Sequence, residues 1–185
     1  GLNYRHKIAL RRVRDRGDRI FGAASRDPPQ PVGWSNRTPS PGGRLHHLRV
    51  ASLQYFLRPV ATFNAFADQV RSLVETAADY KARLVVLPEY FAVQLLTLGD
   101  IKRPMPEQIR DLASQADAVT EVLSQAARES EVWLVGGTIP VLVDGKIRNE
   151  SRILAPDGGW HFQRKLHMTR FERVEWQVAP GKGLK

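Results

Sequence analysis

Between Arg49 and Gly137 the hydrophobic residues switch repeatedly between two periods, and that switching limits the folds open to the chain. RVASLQY (49–55) reads as a strand. In the stretch after Pro59, Phe63, Phe66, Val70, Leu73, Val74 and Ala77 recur at spacings of three and four, which is one face of a helix. RLVVL (83–87) is the next strand. Pro106 and Glu107 open a second helix whose face is Ile109, Leu112, Ala116, Val119, Leu123 and Ala126; Pro suits a first helical turn. VWLVGG (132–137) closes the series as a third strand. Strand, helix, strand, helix, strand in this order predicts helices packed on a sheet with parallel neighbours.

The pattern then changes. TIPVLV, IRNESRILA and WHFQRKL are short strand-like runs separated by Asp144-Gly145 and by Asp157-Gly158-Gly159, which are hairpin signals. An alternating start that runs into an antiparallel meander predicts an α/β fold with a mixed sheet. No internal repeat and no glycine-rich phosphate loop is present, and Gly136-Gly137 reads as a strand-end bend.

Composition narrows the chemistry. The 185 residues suit one domain with an appendage, and a hydrophobic share of 42% is enough for a sizeable core. There is no cysteine, which excludes a disulfide scaffold, a thiolate metal site and any thiol nucleophile within these residues. The five histidines show no metal-ligand spacing, so no metal is expected. The net charge of +9 is concentrated at the start, where residues 1–48 hold ten Lys/Arg against three Asp/Glu. That segment, rich in Arg, Pro, Gly and Ser, reads as a basic arm or linker preceding a body at 49–185. It is either a solvated, disordered arm or a contact for nucleic acid or an anionic membrane. The longest apolar stretch, Val132 to Val143, is broken by Gly and Pro and falls short of the roughly 20 residues a membrane span needs. No signal-peptide core is visible, and a cytoplasmic location is expected.

Two stretches carry chemistry. Leu84 to Leu87 read as a strand buried on both faces, and Pro88 and Glu89 follow at once. Ligands of open α/β sheets bind outside the carboxyl ends of strands, and proline cannot donate to the ladder. Leu-Pro-Glu therefore either presents an acid at the mouth of the sheet or is a helix-start acid or a solvated loop carboxylate. RKLHMTRFERVEW (Arg164 to Trp176) places Lys165 at a strand end with Glu172 and Glu175 close behind, as an ordinary ion pair or as a held ammonium. Tyr90 and Phe91 line a substrate pocket or belong to the core. His167 is a proton shuttle or structural, and Asn149 fixes either a turn or the back wall of a site.

Taken together, RVASLQY, the helix ending in AADYKA, LVVLPEYF, VWLVGGTIP, KIRNESRILAPDGG and RKLHMTRFE resemble the nitrilase, or carbon-nitrogen hydrolase, superfamily. The likeness runs from Arg49 to about Lys185 and is nearest to the subgroup that can be fused behind an N-acetyltransferase-like domain. It implies an α-β-β-α sandwich of the nitrilase type, incomplete here, that pairs through helices into a homo-oligomer. It also implies hydrolysis of a non-peptide C–N bond (amide, nitrile or carbamoyl) by a Glu-Lys-Cys set, with no cofactor and with a small-molecule amide or nitrile as substrate. Glu89 matches the family's general acid/base, Lys165 the lysine that stabilises the tetrahedral intermediate, and Glu172 the second glutamate; Glu175 is the weaker candidate for that last role. Tyr90 and Phe91 are carried as substrate-binding residues. The family's cysteine lies a few tens of residues past the lysine and has no counterpart in this chain. Truncation, a non-catalytic interaction module and nucleic-acid contact through the arm are the readings this leaves, the last being the least favoured.

Physical chemistry gives the same set a rationale. The acid must protonate a leaving amine, so its pKa should be raised towards neutrality by burial at a dry strand end. The oxyanion needs a fixed positive donor. Buried charges of opposite sign are costly unless paired, so Glu89 and Lys165 are expected to converge.

Overall fold

The computed structural model describes residues 48–184. The basic-arm and linker readings for residues 1–47 lie outside the described residues. Twelve elements follow, in an order that keeps strand and helix alternating at first and then switches to strands. Strand β1 is Val50–Ser52, helix α1 is Phe63–Asp79 and strand β2 is Leu84–Val86. A 3-10 helix spans Phe91–Leu98. Helices α2 (Met105–Ser114) and α3 (Ala116–Glu129) precede strands β3 (Trp133–Val135), β4 (Ile139–Val143), β5 (Lys146–Leu154) and β6 (Trp160–Arg164). A short helix α4 (Arg170–Val174) and strand β7 (Val178–Ala179) complete the described residues.

The sheet is mixed, as the change of pattern predicts. β1, β2 and β3 are parallel neighbours, with Val50 opposite Leu84 and Leu84 opposite Trp133. β5 is the strand on which the rest is assembled. It pairs antiparallel with β3 and β4 along one edge and with β6 along the other, so that Leu154 faces both Leu134 and Trp160. β7 adds a parallel pairing, Ile147 opposite Val178.

Helix α1 starts where Thr62 accepts a hydrogen bond from the Ala65 N–H at 3.0 Å, which satisfies one of the helix's unpaired donors. It buries Phe66, Ala67, Val70, Val74 and Ala77 against α3 and the strand residues Val85, Leu134 and Leu154. Burying an aliphatic side chain of this size contributes about 1.5–3 kcal/mol.

Several expectations need correction. The second helix is two helices. At Gln115 the backbone leaves helical geometry (φ −93, ψ 0), and the first half reaches two cores while the second serves only the main one. Ile109 and Ala113 join Ile147 and Val178 in a small cluster, whereas Leu112, Ala116, Val119, Leu123 and Ala126 enter the main core. The segment Leu84–Leu87 is buried on one face rather than two. Val85 and Leu87 are buried, while Leu84 and Val86 keep partial exposure on the face that carries Val50 and Trp133. The first strand is shorter than 49–55, although Leu53 N still donates to Val86 O at 2.9 Å. Helix α4 was not expected.

An ionic group lies buried on β5. Glu150 accepts from Arg152 Nε at 3.0 Å and from Arg164 Nε at 3.1 Å, and the Arg152 guanidinium also stands over the Trp160 ring at 5.2 Å. Both carboxylate oxygens are thereby paired, the condition under which a buried charge is tolerated.

Candidate active site

The acid is presented by a turn that the sequence builds in two places. Leu87 follows β2, its N–H still donating to Val135 O at 2.9 Å, and Pro88 then ends the ladder. Tyr90, two residues on, sits in the left-handed region (φ 54), held by a 2.9 Å hydrogen bond from its N–H to Thr138 Oγ1. The end of β3 closes over this turn. Gly137 has φ +59, and a Cβ built there would lie 2.1 Å from Pro88 O, so the two strand ends meet only because residue 137 has no side chain. The expected strand-end bend at Gly136-Gly137 is therefore also what lets the acid's loop sit where it does.

The lysine arrives from the opposite edge of β5. Lys165 directly follows β6, and its N–H donates to Asn149 O at 2.9 Å. Its ammonium reaches Glu89 Oε1 at 2.8 Å, Glu172 Oε1 at 3.0 Å and Glu172 Oε2 at 2.9 Å. Three donors thus meet three carboxylate contacts. The structure brings Glu89, Lys165 and Glu172 together, although residues 89 and 165 are far apart in sequence.

Glu172 comes from α4. Thr169 caps that helix by accepting from the Glu172 N–H at 3.2 Å, and Glu172 Oε2 accepts from the Thr169 N–H at 2.9 Å, a reciprocal capping box. The same carboxylate therefore caps the helix and grips Lys165. Tyr90 Oη donates to Glu172 Oε1 at 2.7 Å. Burial acts to raise the Glu172 pKa, but the hydrogen bonds from Lys165, Tyr90 and Thr169 outweigh it and lower the value to about 2. Burial works to lower the Lys165 pKa, and the bonds to Glu89 and Glu172 prevail and raise it. Tyr90 is pushed well above the usual phenol range by burial and by Glu172, so its hydroxyl remains a donor.

The other predicted residues divide. Glu175 is exposed at the end of α4 and takes no part in the cluster; Glu172 is the acid that meets Lys165. His167 is exposed. Phe91, carried as a substrate-binding residue, is only 1% exposed and stacks on Phe66 with ring centroids 5.7 Å apart, so its side chain belongs to the core. Tyr90 reaches the cluster, with its hydroxyl bound to Glu172 and its ring edge-on to Trp176 at 4.9 Å. The acid is less enclosed than a dry strand end implies, since the Glu89 side chain is 49% exposed. Asn149 is fully buried, and its Nδ2 donates to Glu89 Oε1 at 3.0 Å. It belongs to the site's back wall rather than to a turn. Thr169 was missed, although Thr-x-x-Glu is a capping-box signature readable in sequence. Among the described residues no group of three or more His, Asp or Glu is placed to hold a metal ion, and no helix is long and apolar enough to cross a membrane.

Comparison with known proteins decides the family. The carbon-nitrogen hydrolase family model matches residues 49–182. The chain belongs to the carbon-nitrogen hydrolase family. It is 31% identical over 142 residues to the omega-amidase NIT2-B of Xenopus laevis, covering 72% of this chain and 48% of that protein. It is 28% identical over 134 residues to the probable hydrolase YhcX of Bacillus subtilis, covering 72% of this chain and 26% of that one. Among solved structures, a carbon-nitrogen hydrolase from Helicobacter pylori aligns with a TM-score of 0.59 at 19% identity over 73% of this chain and 45% of its own. An amidase from Nesterenkonia sp. aligns with a TM-score of 0.58 at 22% identity, covering 74% of this chain and 49% of its own. The chain thus spans about a quarter to a half of the relatives it matches, and its carbon-nitrogen hydrolase fold is that of nitrilase-type amidases.

Proposed function

We propose that these residues form the acid/base and lysine part of a site that hydrolyses the C–N bond of a small amide. The observation that carries the reading is the 2.8 Å contact between Lys165 Nζ and Glu89 Oε1, with Glu172 closing the group from α4. Glu89 accepts a proton from the nucleophile and passes it to the leaving nitrogen, then takes one from the water that releases the acyl group. Lys165 supplies the positive charge towards which the tetrahedral oxyanion develops. Glu172 keeps that ammonium in place and protonated, and the Tyr90 hydroxyl keeps Glu172 in place. The nucleophile is a thiol contributed from outside these 185 residues, which contain no cysteine. A mutant of the Nesterenkonia amidase, which shares the fold, carries acrylamide added at an active-site cysteine. Omega-amidases among the relatives favour an amide over a nitrile or carbamoyl substrate.

The test is ammonia release from small primary amides by the product of the whole reading frame that encodes these residues. Lys165→Ala should lower kcat/KM by about 100- to 1,000-fold, and Glu89→Gln by about 100- to 10,000-fold. A product inert towards amides, or one that either substitution leaves unaffected, would overturn the reading. A reading frame with no cysteine at all would move the assignment to a non-catalytic module on the same fold.

A further inference from the structure

Asn149 is the residue on which both halves of the site rest, and the reaction scheme above gives it no role. It lies in β5, fully buried, paired with Pro140 of β4. Its carbonyl accepts the Lys165 N–H at 2.9 Å, which sets where the lysine leaves the sheet. Its side-chain amide donates to Glu89 Oε1 at 3.0 Å and lies 3.5 Å from Glu172 Oε1. One buried residue therefore fixes the base of the lysine through its backbone and the head of the acid through its side chain.

The two oxygens of Glu89 are not equivalent. Oε1 receives both Asn149 Nδ2 and Lys165 Nζ, at 3.0 Å and 2.8 Å. With both lone-pair directions occupied by N–H donors, a proton added to Oε1 would point at another donor's hydrogen. Oε2 has no hydrogen-bond partner among the described residues, on a side chain 49% exposed. The choice of asparagine follows from the charges. An aspartate here would set a third carboxylate beside Glu89 and Glu172 with one ammonium among them. Turning the Asn149 amide over would oppose its oxygen to two carboxylate oxygens. The orientation adopted leaves Asn149 Oδ1 buried without a hydrogen-bond partner among the described residues, an unfavourable state for a buried acceptor.

We propose that Asn149 is a positioning residue that immobilises Glu89 Oε1, so that Glu89 Oε2 is the oxygen that exchanges the proton. The inference rests on the amide-hydrolysis reading for its role in turnover. The proton leaves the thiol S–H for Oε2 and leaves Oε2 for the departing nitrogen, while Oε1 stays bound to Asn149 and Lys165 throughout.

Two measurements test it. In the 185-residue chain, NMR reads the contact directly: Glu89→Gln shifts both side-chain amide proton resonances of Asn149. Amide signals indifferent to Glu89→Gln overturn the proposal, and this arm stands even if substitutions at the buried position 149 prevent folding. In the product of the whole reading frame, Asn149→Asp, which keeps the shape and removes the donor, lowers kcat by about 100-fold as expected for a misplaced catalytic group, with KM within about twofold. A raised KM with unchanged kcat would make Asn149 a substrate contact and overturn the proposal. If the parent product lacks amidase activity while the Asn149 resonances respond to Glu89→Gln, the reaction assignment fails and the positioning of Glu89 by Asn149 is supported.

Discussion

Glu172 shows how a single carboxylate serves two structures at once. It caps α4 and holds Lys165, and its pKa is lowered from the ordinary 4.5 to about 2. A group whose pKa is depressed on folding adds stability above its unfolded value and loses it as pH falls through the folded one. The stability difference between the parent and Glu172→Gln should therefore be full above about pH 5 and shrink progressively between pH 4.5 and 2. At neutral pH the substitution should cost about 2 kcal/mol, the scale of hydrogen bonds to a charged group. Urea melts across that range check both statements, and a difference constant down to pH 2 would contradict them. Residue by residue, the sequence was readable where a strand end gave the position away. Leu-Pro-Glu and the Lys165 strand end carry local signals, and the roles proposed for them come from the family likeness. Asn149 is a polar residue inside a strand, and nothing local separates a buried donor from a solvated one. Tyr90 and Phe91 are neighbours in opposite surroundings, because the chain turns through a left-handed residue that composition does not announce.

The elements that hold the site invite two further substitutions. Gly137→Ala would place a Cβ on Pro88 O and force a left-handed alanine. It should destabilise the chain by about 1–3 kcal/mol and displace the Glu89 loop, which denaturant melts and the Tyr90 amide resonance would register. Thr169→Ala removes the α4 cap and should cost about 1 kcal/mol, and in the product of the whole reading frame it should lower amide hydrolysis as well, because Glu172 Oε2, one of the two oxygens that meet Lys165, loses the Thr169 Oγ1 donor at 2.9 Å. A loss confined to stability would separate the cap from the site. At this scale the hydrophobic periods located the helices and strands well. What they could not show was the break at Gln115, since the 3.6-residue pattern runs on through it and reads the same for one helix or for two. α4 and β7 are too short for a period to emerge, and only the Thr169–Glu172 pairing hinted at the first of them.

For the molecule as a whole, apolar surface is the conspicuous feature. Val50 is 50% exposed, Leu142 63% and Phe171 55%, and Trp133 adds to the same sheet face as Val50. Apolar residues that share one sheet face, as Val50, Leu84 and Trp133 do, promote association. The 185-residue chain should therefore self-associate in sedimentation velocity, and Val50→Thr combined with Leu142→Thr should lower the apparent mass. A parent that sediments as a single monomeric species would contradict this. The arrangement around β5 points the other way, towards internal unity. Four strands lean on it, the Lys165 segment hangs from its middle, and the acid's contact at Asn149 belongs to it. Hydrogen exchange at the Asn149 and Glu150 amides should consequently be among the slowest in the chain, and denaturant should release the Glu89–Lys165 contact only together with global unfolding. The Glu89–Lys165–Glu172 cluster then has no private melting transition: whatever loosens this strand dissolves the cluster along with the architecture.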